Sequence, residues 1–238
     1  MPLSDGDIVL VDYSIFVKET GELVSTTSEA VAKLHKKYRE DEVYEPDVVI
    51  IGEGRLVKGF EEALRNAEVG KEYKIEVPPD KAYGERDRNK IRTYPRRLFL
   101  RNNIVPEVGK EVTIDRRTGR IIAVEAGRVL VDFNHPLAGK TLVIKFKVIK
   151  KLEEPQEKIK YLIKRRIKRL KLEDIKVELS EGGKTSIELP KEYRLAEGIQ
   201  LIKLLSSRDI IKWVGNINEV AFIDRFEKNE FEGGGSSE

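Results

Sequence analysis

The sequence predicts an α+β protein in three parts: a split β-rich unit with a short helix, a β-rich insert within it, and an α+β module at the C-terminus. Three observations carry this. Strand-like stretches of matching character, Asp7 to Lys18 and Thr141 to Lys150, lie far apart in the chain. Between them, from Arg86 to Asp132, the texture changes to short β segments broken by turns. After Pro155 a stripe of Ile at helical spacing begins, followed by hairpin, helix and strand patterns. The boundaries that follow are 1–85 with 133–152 for the split unit, 86–132 for the insert, 155–231 for the module and 232–238 for a flexible tail.

Each element has its own signal. "DIVLVDYSIFVK" is rich in β-branched residues with Asp12 and Ser14 interleaved, which predicts a strand, and Gly21 supplies a turn after it. "STTSEAVAKLHKKY" predicts a short helix in which Thr26 and Glu29 form a capping box and Ala30, Leu34 and Tyr38 share a face. "DVVIIG" (Asp47 to Gly52) is a compact run suited to a buried strand. Val57, Phe60 and Leu64 fall at helical spacing and predict a short helix laid on a sheet. "EYKIEVPP" returns to strand alternation until Pro78 stops it.

In the insert, "TYPRRLFL" is a short aromatic and apolar segment. Three short strands follow, with turns expected at Arg117-Thr118-Gly119 and Ala126-Gly127. "TLVIKFKVIK" is a long alternating strand that belongs with the first unit. Beyond Pro155, "EKIKYLIKRRIKRLKLED" predicts a helix with Ile159, Ile163, Ile167 and Leu170 on one face and Lys and Arg over the rest. "IKVELS" and "TSIELP" read as a hairpin around Glu181-Gly182-Gly183, "KEYRLAEGIQLIKLLSS" as a helix and "INEVAFIDRFEK" as a last strand. The tail "GGGSSE" has linker composition.

Composition excludes several functions. The chain has no Cys, so thiol nucleophiles, disulfides and thiolate metal sites are out. His35 and His135 cannot make a histidine-rich metal site, and His135 in "NHP" reads as a turn residue; no metal and no cofactor are expected. "EGGKTS" lacks the spacing of a phosphate-binding loop. Charged residues make up 37%, yet 45 Lys and Arg nearly balance 42 Asp and Glu, which suits ion-pair networks at high temperature. A net charge of +3 does not by itself imply a nucleic-acid partner. The N-terminus has no basic stretch before its apolar run, and Asp7 and Asp12 interrupt that run. This predicts neither a signal peptide nor a membrane span, and a cytoplasmic location.

The blocks "GRLVKGFEEAL", "EVGKEYKIEVPPDKAYG" and "GDIVLVDYSIFVKETGELV" resemble the core of the FKBP-type peptidyl-prolyl isomerases. "NHPLAGKTLVIKFKV" resembles the closing segment of the SlyD-like branch, which carries a substrate-binding insert-in-flap domain. The matching blocks occur in order and cover residues 1–152; the C-terminal extension resembles the archaeal long-chain type. The resemblance implies an antiparallel half-barrel sheet around a short helix, and prolyl cis/trans isomerisation as the activity. That chemistry asks for little: amide resonance sets a barrier of roughly 18–20 kcal/mol. The two Xaa-Pro isomers differ by only about 0.5–1 kcal/mol, so no energy source, nucleophile or metal is needed.

The resemblance also implies roles. Tyr13, Val49, Leu56, Val57, Phe60 and Phe146 would line a prolyl pocket with Phe60 as its floor. The Val57 N–H and the Tyr83 hydroxyl would donate to substrate carbonyls, and Leu137 would border the pocket. Taken singly, Tyr13, Phe60 and Phe146 read as ordinary packing; as a group in ordered blocks they read as a site. The family usually has an aromatic-Asp pair where this chain has Val24-Ser25, and that change removes a polar wall group. Phe60 stands where many eukaryotic members have tryptophan. In the insert, Leu98, Phe99, Ile104 and Val105 are expected to touch clients while sharing in the insert's own core.

The expected partners are unfolded or nascent polypeptides with Xaa-Pro bonds, with a C-terminal module suited to dimerisation or client cradling. One alternative is a catalytically weak scaffold acting as a holdase chaperone. It could be ribosome- or RNA-associated through the basic helix 158–171, since clustered Lys and Arg bind phosphates. The flanking Glu153, Glu154, Glu157, Glu173 and Asp174 dilute that field, and argue for a solvated face over the Ile stripe rather than a nucleic-acid site.

Overall fold

The computed structural model describes residues 3–228 and Glu230. The flexible tail expected at 232–238 lies outside the described residues. Strand β1 (Ile8–Val17) organises the first sheet. Its second half pairs with β2 (Leu23–Thr26) and its first half with β3 (Asp47–Ile50), both antiparallel on one edge. On its other edge lies β9 (Leu142–Lys151), and β4 (Glu72–Val77) pairs with β9 in turn. Between β2 and β3 sits the short α1 (Glu29–Leu34), and between β3 and β4 the helix α2 (Lys58–Arg65).

One face of this sheet holds Val9, Val11, Val49, Ile144, Phe146 and Val148, covered by Phe60 and Leu64 of α2. The other face, at Ile8, Leu10, Val48 and Ile50, is buried as well. It packs on helices α4 (Pro155–Lys164) and α5 (Ile199–Trp213) of the C-terminal module. This two-sided burial is why "IVLV" and "VVII" run without alternation: no side of those strands meets water. The module has its own sheet, β10 (Lys176–Ser180), β11 (Lys184–Glu188) and β12 (Glu219–Ile223), with β12 returning through α5 to lie parallel to β11. Its core, however, is continuous with the outer face of β1 and β3.

The insert forms a separate antiparallel sheet, β5 (Ile91–Pro95), β8 (Arg128–Asp132), β7 (Arg117–Glu125) and β6 (Glu111–Ile114) in spatial order, with helix α3 (Arg96–Arg101) after β5. Its core is Phe99, Val112, Ile121, Val129 and Val131.

The structure differs from the sequence expectations in four local places. The cap of α1 is Ser28, whose hydroxyl accepts from the Val31 N–H. Thr26 instead contacts the Ser14 hydroxyl, and Leu34 is exposed because the helix ends before its predicted face can form. The first hairpin turn of the insert is Asp115-Arg116, both with positive φ, the geometry of a two-residue hairpin loop. Gly119 lies within β7 instead, where a Cβ would fall 2.7 Å from Val131 Cγ1. Helix α4 ends at Lys164, and Leu170 reaches the core from the turns that follow, held where the Lys164 ammonium donates to the Lys168 and Leu170 carbonyls. The second module helix starts only at Ile199, after Gly198 with its positive φ.

The Lys and Arg side chains at 164–166, at and just beyond the end of α4, do not form a solvated face. Arg165 is buried, donating to Glu53 and Asp209; Arg166 also pairs with Asp209, and Lys164 pairs with Glu45. Among the described residues no helix is long and apolar enough to cross a membrane.

Candidate active site

Register builds the centre of the site. Tyr13 on β1 lies directly opposite Phe146 on β9, and Phe146 lies opposite Tyr73 on β4, so three aromatic rings share one cross-strand row. Phe60 descends onto this row from α2. Its ring centroid is 5.7 Å from Tyr13, edge-on, and 5.1 Å from Phe146, while Tyr73 stacks on Phe146 at 5.2 Å. The helix can sit this low because residue 59 is glycine; a Cβ there would lie 2.5 Å from Val77 Cγ1. Phe60 is fully buried, Phe146 and Val49 nearly so, and Tyr13, Leu56 and Val57 are half-buried at the margin. The six apolar residues expected to line one pocket thus belong to one cluster.

Val57 is the N-cap of α2, with an extended backbone and a carbonyl that accepts from Phe60 and Glu61. Among the described residues its own N–H finds no acceptor, as expected of a first-turn donor without a side-chain cap. The turn at Pro79–Lys81 delivers Ala82 to the core and leaves Tyr83 exposed by 38%. The Tyr83 ring stacks face to face on His135, with centroids 4.3 Å apart and planes 2° from parallel. His135 Nδ1 accepts from the Leu137 N–H, and the Gly139 N–H donates to the Gly84 carbonyl. The loop that leaves the insert is therefore fastened to the rim, with the half-buried Leu137 inside that turn. His135 is a turn residue, as the sequence implied, but also the platform for Tyr83. No sequence signal pairs two residues so far apart.

The polar end of the site departs from expectation. Ser25 sits exposed on β2 and lines the same cavity as Tyr13. A carboxylate is nevertheless present: Tyr13 donates to Asp47 Oδ2 at 3.4 Å, and Asp47 lies 4.0 Å from the Arg55 guanidinium. Burial first, and then the charge of Asp47, push the Tyr13 phenol up to about 12. Asp47, Arg55, Tyr73 and His135 are the site residues that sequence reasoning missed. The one available signal was an acid opening the apolar run "DVVII".

In the insert, the four expected client-contact residues separate. Leu98 and Val105 are exposed, at 38% and 56%. Phe99 is a core residue of the insert, 2% exposed, and Ile104 packs half-buried against that core. Helical geometry explains this, since one face of α3 must cover the sheet and Phe99 occupies it. Leu100 and Val108 join the exposed apolar set. Among the described residues no group of three His, Asp or Glu could hold a metal ion.

Comparison with known proteins decides the family. The model for FKBP-type peptidyl-prolyl cis-trans isomerase matches residues 2–99, that for the FKBP26 IF domain residues 93–137, and that for the FKBP26 C-terminal region residues 155–227. The chain is 40% identical over 146 residues to the short-type peptidyl-prolyl cis-trans isomerase of Methanocaldococcus jannaschii, covering 61% of this chain and 92% of that protein. This chain belongs to the FKBP-type peptidyl-prolyl cis-trans isomerases. It is also similar to the isomerases SlyD of Helicobacter pylori, 37% identical over 48% of this chain and 64% of the relative, and of Escherichia coli strain K12, 32% over 50% and 63%.

As an FKBP-type isomerase, the chain catalyses rotation about the peptide bond that precedes proline. The isomerase model spans β1 to β4, α2 and Tyr83, and so includes Tyr13, Tyr73, Phe60 and Val57, while Phe146 of the aromatic row lies beyond it on β9. The insert-domain model spans Thr93 to Leu137 and so includes both α3 and the His135 turn beneath Tyr83.

Proposed function

We propose that the isomerase seats a prolyl ring against Phe60, Phe146, Val49, Leu56, Val57 and the ring of Tyr13. The Val57 N–H and the Tyr83 hydroxyl hold the flanking carbonyls. Catalysis is non-covalent. An apolar wall solvates the planar, dipolar amide poorly and the twisted amide relatively better, while two fixed donors keep the chain on either side from rotating with the bond. The observation that carries this reading is that a continuous aromatic base shares one apolar cluster with Val57, whose N–H finds no acceptor among the described residues, and with Ala82, the residue before the exposed Tyr83.

The insert extends the reading to unfolded and nascent chains. Its exposed Leu98, Leu100, Val105 and Val108 offer weak, unspecific apolar contact. Tethered beside Tyr83, such contact raises the effective concentration of Xaa-Pro bonds at the pocket, which is chaperone-like holding coupled to catalysis. The test replaces residues 88–132 by a short glycine linker; Asp87 and Asn134 remain, joined by hydrogen bonds of 2.9 Å in both directions. Isomerisation of a proline tetrapeptide, followed by NMR exchange, is expected to stay within about twofold, since the pocket's contacts are untouched. Catalysed refolding of a proline-limited protein is expected to fall by about tenfold or more, as loss of tethering implies. Equal loss in both assays, or in neither, would remove the insert's role in client capture.

A further inference from the structure

The carboxylate against Tyr13 has a structural reason that the pocket alone does not supply. Asp47 opens β3 and stands opposite Val11 of β1, so the two side chains point to the same face of the sheet. Tyr13 lies two residues further along β1, on that face and beyond the end of β3. A short side chain at 47 can therefore meet the phenol diagonally, and it does: the hydroxyl donates to Asp47 Oδ2. The Asp47 side chain is largely buried, and its other neighbour is Arg55, the residue before Leu56 and Val57. The group lines a polar cavity of about 310 Å³ together with Tyr161, Lys164 and Arg165 of the C-terminal module. Ser25, on β2, lines the same cavity and offers only a hydroxyl.

We infer that Asp47 is a positioning residue for isomerisation. It accepts the Tyr13 proton bond and draws Arg55 to the same point, so that the β1 wall and the Leu56–Val57 wall are held at one spacing. With its proton committed to Asp47, Tyr13 presents its ring, and not a competing donor, to the proline. The elevated Tyr13 titration fits a phenol kept neutral beside a carboxylate. This inference rests on the proposed pocket and names the group that holds it open at the polar end.

The experiment measures kcat/KM on a proline tetrapeptide for wild type, Asp47→Asn, Ser25→Asp, the double variant Asp47→Asn/Ser25→Asp, and Tyr83→Phe. Tyr13 is titrated in parallel by ring-labelled tyrosine NMR. Asp47→Asn, nearly isosteric, is expected to lower kcat/KM roughly tenfold, the worth of a hydrogen bond to a charged group, and to move the Tyr13 titration down towards the ordinary tyrosine value. The double variant returns a carboxylate to the same phenol from β2 and is expected to recover activity to within about threefold of wild type, a difference below 1 kcal/mol. Ser25→Asp alone is the reference against which the double variant is read. Unchanged activity in Asp47→Asn, or a loss that Ser25→Asp does not reverse, overturns the inference. If Tyr83→Phe loses activity and Asp47→Asn does not, the pocket reading stands and the Asp47 inference falls; if neither loses activity, both fall.

Discussion

Tyr83 illustrates how much of the site rests on single side chains outside any core. Its ring is held by His135 and, among the described residues, its hydroxyl finds no partner, so the phenol is aimed without being spent on the protein itself. Replacing it by Phe keeps the stack and removes only the donor. The expected outcome is a fall in kcat/KM of roughly three- to tenfold, the net value of one hydrogen bond. The melting temperature should hardly move, because the residue is on the surface and the change stays within about 0.5 kcal/mol. A two-rate comparison by NMR exchange and a thermal melt check both halves. Truncating Phe60 or Phe146 to Ala would be uninformative by comparison, since removing a buried aromatic costs about 3–5 kcal/mol and confounds site with core.

At the scale of elements, the joint between the insert and the isomerase sheet is a charged one. Asp132, at the end of β8, receives both the backbone and side-chain N–H groups of Asn134 and pairs with Arg86 at 2.5 Å. Burial works to raise its carboxyl, but the Asn134 and Arg86 contacts outweigh it and hold the group below its ordinary value of 3.8. A depressed carboxyl stabilises the fold at pH above its unfolded value, and that contribution is lost as the pH falls through the folded one. The joint is therefore expected to loosen in acid, below pH 3.8, with the Phe133 and Asn134 amides losing hydrogen-exchange protection in step with the Asp132 titration. In Asp132→Asn that acid step should be absent and protection lower at neutral pH.

For the whole molecule, the C-terminal module is part of the isomerase's core. Ile8, Leu10, Val48 and Ile50 face it, and burying each such side chain is worth about 1.5–3 kcal/mol. Against a typical net stability of about 5–15 kcal/mol, that share is large. Arg165 fastens the same interface, with its guanidinium donating to Glu53 at 2.7 Å and to Asp209 at 2.8 Å. Burial works to lower its basicity, but the two carboxylates outweigh it and keep the guanidinium firmly charged. Substituting Arg165→Met leaves Glu53 and Asp209 short of a partner and should cost about 3–5 kcal/mol, as broken buried pairs do. Denaturant unfolding measures this directly, and a triple variant with Glu53→Gln and Asp209→Asn should recover most of the loss. An unchanged midpoint for Arg165→Met would mean that the apolar face alone joins the two parts.

Local pattern and block order encode the elements and the grouping of the pocket residues. Alternation and β-branching placed β1, β4 and β9, helical spacing placed α2, and the ordered blocks brought Tyr13, Val49, Leu56, Val57, Phe60 and Phe146 to one cluster. Those signals are local because a strand or helix face is written every two or every three to four residues. The tertiary structure decided everything that depends on an approach between distant segments. It buried Phe99 rather than exposing it, set the hairpin turn at Asp115-Arg116 rather than at a glycine, stacked Tyr83 on His135, and spent Arg165 in an interface instead of leaving it to solvent. The polar wall shows the reason most plainly. Position 25 shows the loss of a carboxylate, but a carboxylate belongs to whatever point in space its oxygen reaches. The pairing of β3 with β1 carries Asp47 to that point from another strand.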